Sequence, residues 1–298
     1  MLDNCFETSA DLADWLWGSG PGTRPSAPNS LDPVVVHVGP GNFDRLKCVG
    51  PSEGWVSVLG SGREQTRFAQ DSPNTWYDPE VGQCPGSIDM VDCTGMTFQD
   101  LTAEGFVRGV NWNGNGSSHW RDVDIIADAK GLASCKVSGF THVFAWYDQT
   151  ASSTAQNFFW NVRFIARRPP PGFLLAFTPF GSLGVDNWFY SCDFLLDFTG
   201  ATQTGGFLEA AIALNANGRA RLFGSTVRVK QPNGIPNPGG TATGVLLNAN
   251  NEFHMHGGII NVNVAAQDRD VAAIRTTATA SGLVHTPETA FSVRESVG

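Results

Sequence analysis

A chain of 298 residues can bury a substantial core, and 34 glycines, 17 prolines and 20 phenylalanines against 16% charged residues point to β structure, not to a helical bundle or a disordered chain. A net charge of −9 with no block of lysine or arginine argues against nucleic acid and anionic membranes as partners. No run reaches the roughly 18 consecutive apolar residues of a membrane span, so no membrane insertion is expected.

The chain starts with "MLDNCFETSADLADWLWGSG", which is acidic, has no basic segment and does not read as a secretory leader. Within it, "TSADLADWLW" offers Thr8 or Ser9 as N-cap ahead of Leu12, Ala13, Trp15 and Leu16. That pattern predicts a short amphipathic helix, suited to covering the open end of a stacked β structure. A Pro/Gly/Ser-rich linker follows, so residues 1–32 are read as cap and linker. Next come "VVVHVGPGNF" and "VSVLGSGREQTRF", short apolar strands that each run into a glycine turn. The six cysteines show neither CxxC nor zinc spacing. Cys84 and Cys93 are close enough to bridge across a loop, and the others, Cys192 above all, read as small buried residues.

From residue 96 onward one short pattern recurs: "MTFQDLTAEG", "SSHWRDVDIIAD", "NFFWNVRFIA", "NWFYSCDFLL", "ARLFGSTVRV" and "EFHMHGGIIN". Aligned on Leu101, Val123, Val162, Cys192, Ser225 and Gly258, the copies share two further apolar columns. One is Phe98, Trp120, Phe159, Phe189, Leu222 and Met255; the other is Ala103, Ile125, Phe164, Phe194, Val227 and Ile260. The spacing varies from 22 residues (Leu101 to Val123) to 39 (Val123 to Val162) around a strand of constant pattern. Period-2 alternation with no helical pattern between copies predicts parallel rungs of a solenoid. The fold expected is all-β: a single-stranded right-handed parallel β-helix over 33–264 behind an N-terminal capping helix, with a closing segment at 265–298. Longer loops are expected at 166–172, 199–206 and 231–243.

"VVVHVGPGNF" followed by "VSVLGSGREQTRF" resembles the first coil of the pectin-lyase-like β-helix superfamily, and "FFWNVRFIARRPPPG" resembles a pectinesterase coil. That resemblance implies a polysaccharide-directed lyase, hydrolase or esterase. Asp148 in "YDQT" and Asp197 in "DFTG" echo the pectinesterase acids, but they stand 49 residues apart and the arginine motif G-R-P-W is missing.

Between the apolar columns lies a corner column of Asp100, Asp122, Asn161, Ser191, Gly224 and Gly257. Residues of these types satisfy backbone groups at a bend. Stacked Asp100 and Asp122 would also suit a calcium ion; no other cofactor is expected. Two outward columns carry chemistry. Thr102, Asp124, Arg163, Asp193, Thr226 and Ile259 form one, and Gln99, Arg121, Trp160, Tyr190, Phe223 and His256 the other. Trp160, Tyr190 and Arg121 are candidate ligand-binding residues, because aromatic platforms beside hydrogen-bonding groups suit sugar rings. Asp124 and Asp193, with Arg163 between them, are the candidate catalytic set. Two rungs separate the acids by on the order of 9–10 Å, at the upper end for inverting glycosidases. The alternative is a salt-bridged Asp–Arg–Asp surface ladder. His254 and His256 share one face in "FHMHGG" but have no third ligand nearby in sequence, so no metal site is expected.

With no complete catalytic motif, the expected role is a non-catalytic scaffold or recognition protein contacting glycan or protein, with a homo-oligomer or an assembly partner compatible. Such a scaffold suits a virion, filament or envelope assembly, and the start of the chain fits a phage structural protein, since virions are assembled inside the host. A carbohydrate-active enzyme is the alternative, since this fold hosts both roles.

Overall fold

The computed structural model describes residues 6–17, 23, 28–49, 54–69, 86–113, 116–128, 136–137, 140–148, 150, 154–167, 172–179, 184–199, 206–215, 217–231, 241–248, 251–264, 270–277 and 282–295. Apart from the short Lys136–Val137, which pairs antiparallel with Phe140–Asp148, the strands pair in parallel with their counterparts one coil away, which makes the chain a parallel β-helix. Ser118–Asp128 shows the register. It pairs with Met96–Gly105 through Phe98↔Trp120, Leu101↔Val123 and Ala103↔Ile125. On its other edge its first half pairs with Gln156–Trp160 (Trp120↔Phe159) and its second half with Arg163–Arg167 (Ile125↔Phe164). The two columns then continue as Phe189, Leu222, Met255 and as Phe194, Val227, Ile260. The repeat seen in sequence is therefore the register of the sheet.

The corner residues explain why one strand can serve two faces. Asp100, Asp122, Asn161, Ser191, Gly224 and Gly257 have φ of 54°, 53°, 51°, 53°, 58° and 67°. A single left-handed residue bends the strand, and Asn, Asp and Gly are the residue types that enter this region most readily. The column is a polar corner: Asn161 Nδ2 donates to Asp122 Oδ1 at 2.6 Å, one coil away. A third side is closed by a second sheet, ordered Asp270–Thr276, Thr241–Leu247, Gly206–Leu214, Gly172–Thr178, Phe140–Asp148, Arg108–Asn113, Ile88–Val91 and Leu46–Val49.

Inside, aromatic rings stack from coil to coil. Phe159 lies on Phe189 (4.9 Å, 7°) and Phe164 on Phe194 (4.9 Å, 6°), with Phe177 from the third side meeting them edge-on. An internal polar ladder runs beside them: Trp120 Nε1 donates to Ser118 Oγ, Ser118 Oγ to Asn157 Oδ1, and Asn157 Nδ2 to Asn187 Oδ1, at 2.6–3.0 Å. Buried amides are thereby satisfied by the neighbouring rung, which ties the register to hydrogen bonding as well as to packing.

The helix Ser9–Trp17 forms as the pattern predicts. Thr8 is the cap: its Oγ1 accepts from the Asp11 N–H at 3.0 Å and donates to the Asp11 carboxylate at 2.8 Å. Ser9 instead donates to the carbonyls of Asp44 and Arg45, fastening the helix to the first coil, with Leu12 and Leu16 buried. Parallel pairing extends past residue 264, since Leu283–His285 pairs with Glu252–His256 and Ala290–Glu295 with Ile259–Val264. At this last coil the core columns emerge as Val284, Phe291 and Val293, which are 39–48% exposed. Cys93 and Cys192 are buried, whereas Cys84 and most of the loops 166–172, 199–206 and 231–243 lie outside the described residues.

Candidate functional site

Along Gln156–Trp160 and its neighbours, residues between core positions point outward, and the outward positions are rich in rings. Trp160 lies on Tyr190 (5.6 Å, 9°), Tyr190 on Phe223 (5.2 Å, 11°) and Phe223 on His256 (5.2 Å, 9°). A second ladder runs parallel, two residues earlier on each strand: His119 on Phe158 (5.1 Å, 14°), Phe158 beside Trp188 (6.4 Å, 18°), and Arg221 over Trp188 (4.7 Å). The ladders touch through His119–Trp160, Phe158–Trp160 and Trp188–Phe223, all within 14° of coplanar. Nearly all of these rings are half-buried and His256 is exposed. The result is one broad aromatic face spanning five coils, because parallel in-register pairing stacks like positions on like. The same period-2 count that singles out Trp160 and Tyr190 reaches Phe158 and Trp188 two residues earlier, which is the sequence signal for the second column. Arg121 lies in the Trp160 column and is largely exposed, near Asp122.

Past the corner, on the adjoining face, the charged column is paired tightly. Asp124 is 4% exposed and accepts from Arg163 through both carboxylate oxygens, Nε to Oδ1 at 2.6 Å and Nη2 to Oδ2. Arg63 approaches the same Asp124 carboxylate at 3.5 Å, lies 3.4 Å from Asp122, and donates to the Asn161 carbonyl. Asp193, in register with Arg163, is gripped instead by Arg228, Nε to Oδ1 at 3.0 Å and Nη2 to Oδ2. Asp124 raises the pKa of Arg163 above its ordinary value, chiefly by hydrogen bonding. The candidate set Asp124, Arg163 and Asp193 is thus brought onto one column, and each acid has its own bidentate arginine. Neither partner, Arg63 nor Arg228, was singled out by the sequence pattern. Arg63 sits in the turn of "GSGREQTRF", and Arg228 lies two residues beyond Thr226 on the next coil, so both reach the acids diagonally.

Asp148 and Asp197 are not brought together. Asp148 ends a strand of the third side, is buried, and accepts from the Thr150 N–H and Asn157 Nδ2. Asp197 ends Asp193–Asp197 in the bent sheet and accepts from the Thr199 N–H at 2.9 Å. Both serve as turn-fixing acceptors, so the pectinesterase echo does not build a site. Of the corner pair, Asp100 accepts from Gln99 at 2.8 Å, and Asp122 from Arg63 and Asn161.

The outer face of the third side holds a buried charged cluster with no signal in the repeat. Arg108 is 1% exposed; it lies over the Tyr147 ring at 3.8 Å and donates to Asn111 at 3.2 Å. Burial pulls its pKa down to about 10, which leaves it a cation at neutral pH. Asp89, also fully buried, has its pKa raised by desolvation, while Arg45 at 2.5 Å and the Gly86 N–H oppose that rise. These strands lie outside the repeated pattern, which is why the cluster was invisible in sequence. Neither a protein-family model nor a curated protein matches the chain.

Proposed function

We propose that the protein is a rigid recognition scaffold that binds extended glycan along its aromatic face and does not turn it over. The observation that carries this is the double ladder of coplanar outward rings, half-exposed and regularly spaced along the solenoid axis. Sugar rings stack their C–H faces on such platforms, and Arg121 and Arg221 at the ladder edges supply planar donors for hydroxyl or carboxylate groups. Catalysis of glycosyl transfer needs one acid able to donate a proton and another free to attack or to activate water. Asp124 and Asp193 are each occupied by an arginine fork, which favours binding over turnover. The glycine-turned first strands fit a pectin-lyase-like β-helix, and a surface role in a virion, filament or envelope assembly suits a stiff rod of this kind.

The test is affinity electrophoresis of the protein through gels carrying neutral and acidic plant, algal and bacterial polysaccharides, with reducing ends and unsaturated products followed in parallel. Retardation on at least one polysaccharide without product release is expected. Product release makes the protein an enzyme; no retardation on any polysaccharide removes glycan as the ligand.

A further inference from the structure

The end of the aromatic ladder changes chemistry from carbon rings to imidazoles. On Glu252–His256, Phe253 and Met255 face the core, so His254 and His256 both face out. The next coil contributes Leu283–His285, whose parallel register places His285 directly against His254. Ring centroids are 5.8 Å apart for His254–His285 and 5.5 Å for His256–His285. One ring nitrogen from each of the three can be chosen so that all lie within 4.8 Å of one another. In sequence the third histidine is 29 residues from His256 and 31 from His254, which is why "FHMHGG" alone shows only a pair.

We infer that His254, His256 and His285 form a binding site for a first-row divalent transition metal of the zinc class, with a coordination position left open to solvent. Imidazole nitrogens bound at about 2.0–2.1 Å around a tetrahedral ion sit about 3.4 Å from each other. Small side-chain rotations close the present spacing, while the strands beneath are held by pairing on the sheet. The donor set is all nitrogen, which selects zinc, nickel, cobalt or copper over calcium and magnesium, whose ligands are oxygen. Phe223 stacks on His256 and limits how its ring can turn. The charge of Arg221 lies near His254 and would repel an incoming cation. Arg221 itself is held by Asp186 at 2.6 Å and lies 3.7 Å from Glu252, so its repulsion of an incoming cation is offset. Three protein ligands leave a fourth position for water or for an oxygen of a bound ligand.

The experiment is calorimetric titration of Zn2+ into untagged protein in a non-chelating buffer, with Ca2+ as the contrasting ion. The parent, His285→Ala, His285→Gln and His37→Ala are compared; His37 is an exposed histidine on the first coil. One saturable Zn2+ equivalent is expected in the parent and in His37→Ala, with no Ca2+ uptake. Affinity should fall about 10–100-fold, the scale on which disturbed metal shells lose binding, in whichever His285 variants circular dichroism shows to be folded. No saturable Zn2+ binding by the parent, or unchanged affinity in a folded His285 variant, overturns the site.

Discussion

Phe189→Ala tests the register on which the outward face depends. Phe189 has no exposed surface; it stacks on Phe159 at 4.9 Å and meets Phe177 and Phe194 edge-on at 5.0 Å each. Truncating a buried phenylalanine costs about 3–5 kcal/mol in lost transfer energy plus the cavity left behind. The neighbours sit on coils fixed by parallel pairing and cannot collapse into the hole, and aromatic pairs add roughly 0.5–1.5 kcal/mol beyond area. The expected loss is therefore in the upper half of that range, about 4–5 kcal/mol. Phe189→Leu keeps most of the volume and should cost roughly 1.5 kcal/mol or less. Tyr190→Ala, one residue on and facing out, should cost far less than Phe189→Ala. Urea unfolding followed by circular dichroism and tryptophan fluorescence measures all three, provided the m-values agree. A loss below about 1 kcal/mol for Phe189→Ala, or a larger loss for Tyr190→Ala, refutes the inward–outward assignment.

Ser191 holds a φ of 53°, a region that costs a residue with a Cβ roughly 1–2 kcal/mol. Ser191→Gly should thus raise the unfolding midpoint and Ser191→Val lower it; the opposite order contradicts the corner geometry. Asp124 is almost buried while Arg163 is 46% exposed, so Asp124→Asn should cost about 1–3 kcal/mol, between the values for exposed and buried pairs. Asp193→Asn, on a more exposed pair, should cost about 1 kcal/mol or less in the same denaturation assay; equal losses would show that burial does not set the difference. Burial pushes the Cys192 thiol up to about 12 from 9.0. The unfolded chain then loses this proton before the native one, and stability falls as pH rises from 9 toward 12. A Cys192→Ala variant should show a shallower decline over that window, and an unchanged slope counts against the buried neutral thiol.

The three apolar columns and the corner were legible because parallel stacking repeats one side-chain pattern, and a period of 2 fixes which residues face out. Trp160 and Tyr190 followed from that rule. His285 did not, since its coil arrives as "LVH" without the aromatic signature of the earlier rungs. The charge pairing was legible only in part. Arg163 pairs with Asp124 straight along the column, as in a ladder, whereas Asp193 is taken by Arg228, which reaches it diagonally from two residues further along the next coil and so stands in no shared column. The third side repeats as well, but its strands run from the two-faced "RGVNWN" to the alanine-rich "GFLEAAIAL", and no single template links them. That variability hid Arg108 and Asp89.

Whether the face binds through its rings is decided by comparing dissociation constants for one retained polysaccharide across the parent, Trp160→Ala, Trp188→Ala and Asp193→Asn. Each tryptophan truncation removes a stacking platform and should weaken binding about tenfold or more, roughly 1.4 kcal/mol. Asp193→Asn leaves the rings in place and should stay within about threefold of the parent. Tryptophan variants that bind like the parent while Asp193→Asn loses binding would contradict recognition by the aromatic ladder.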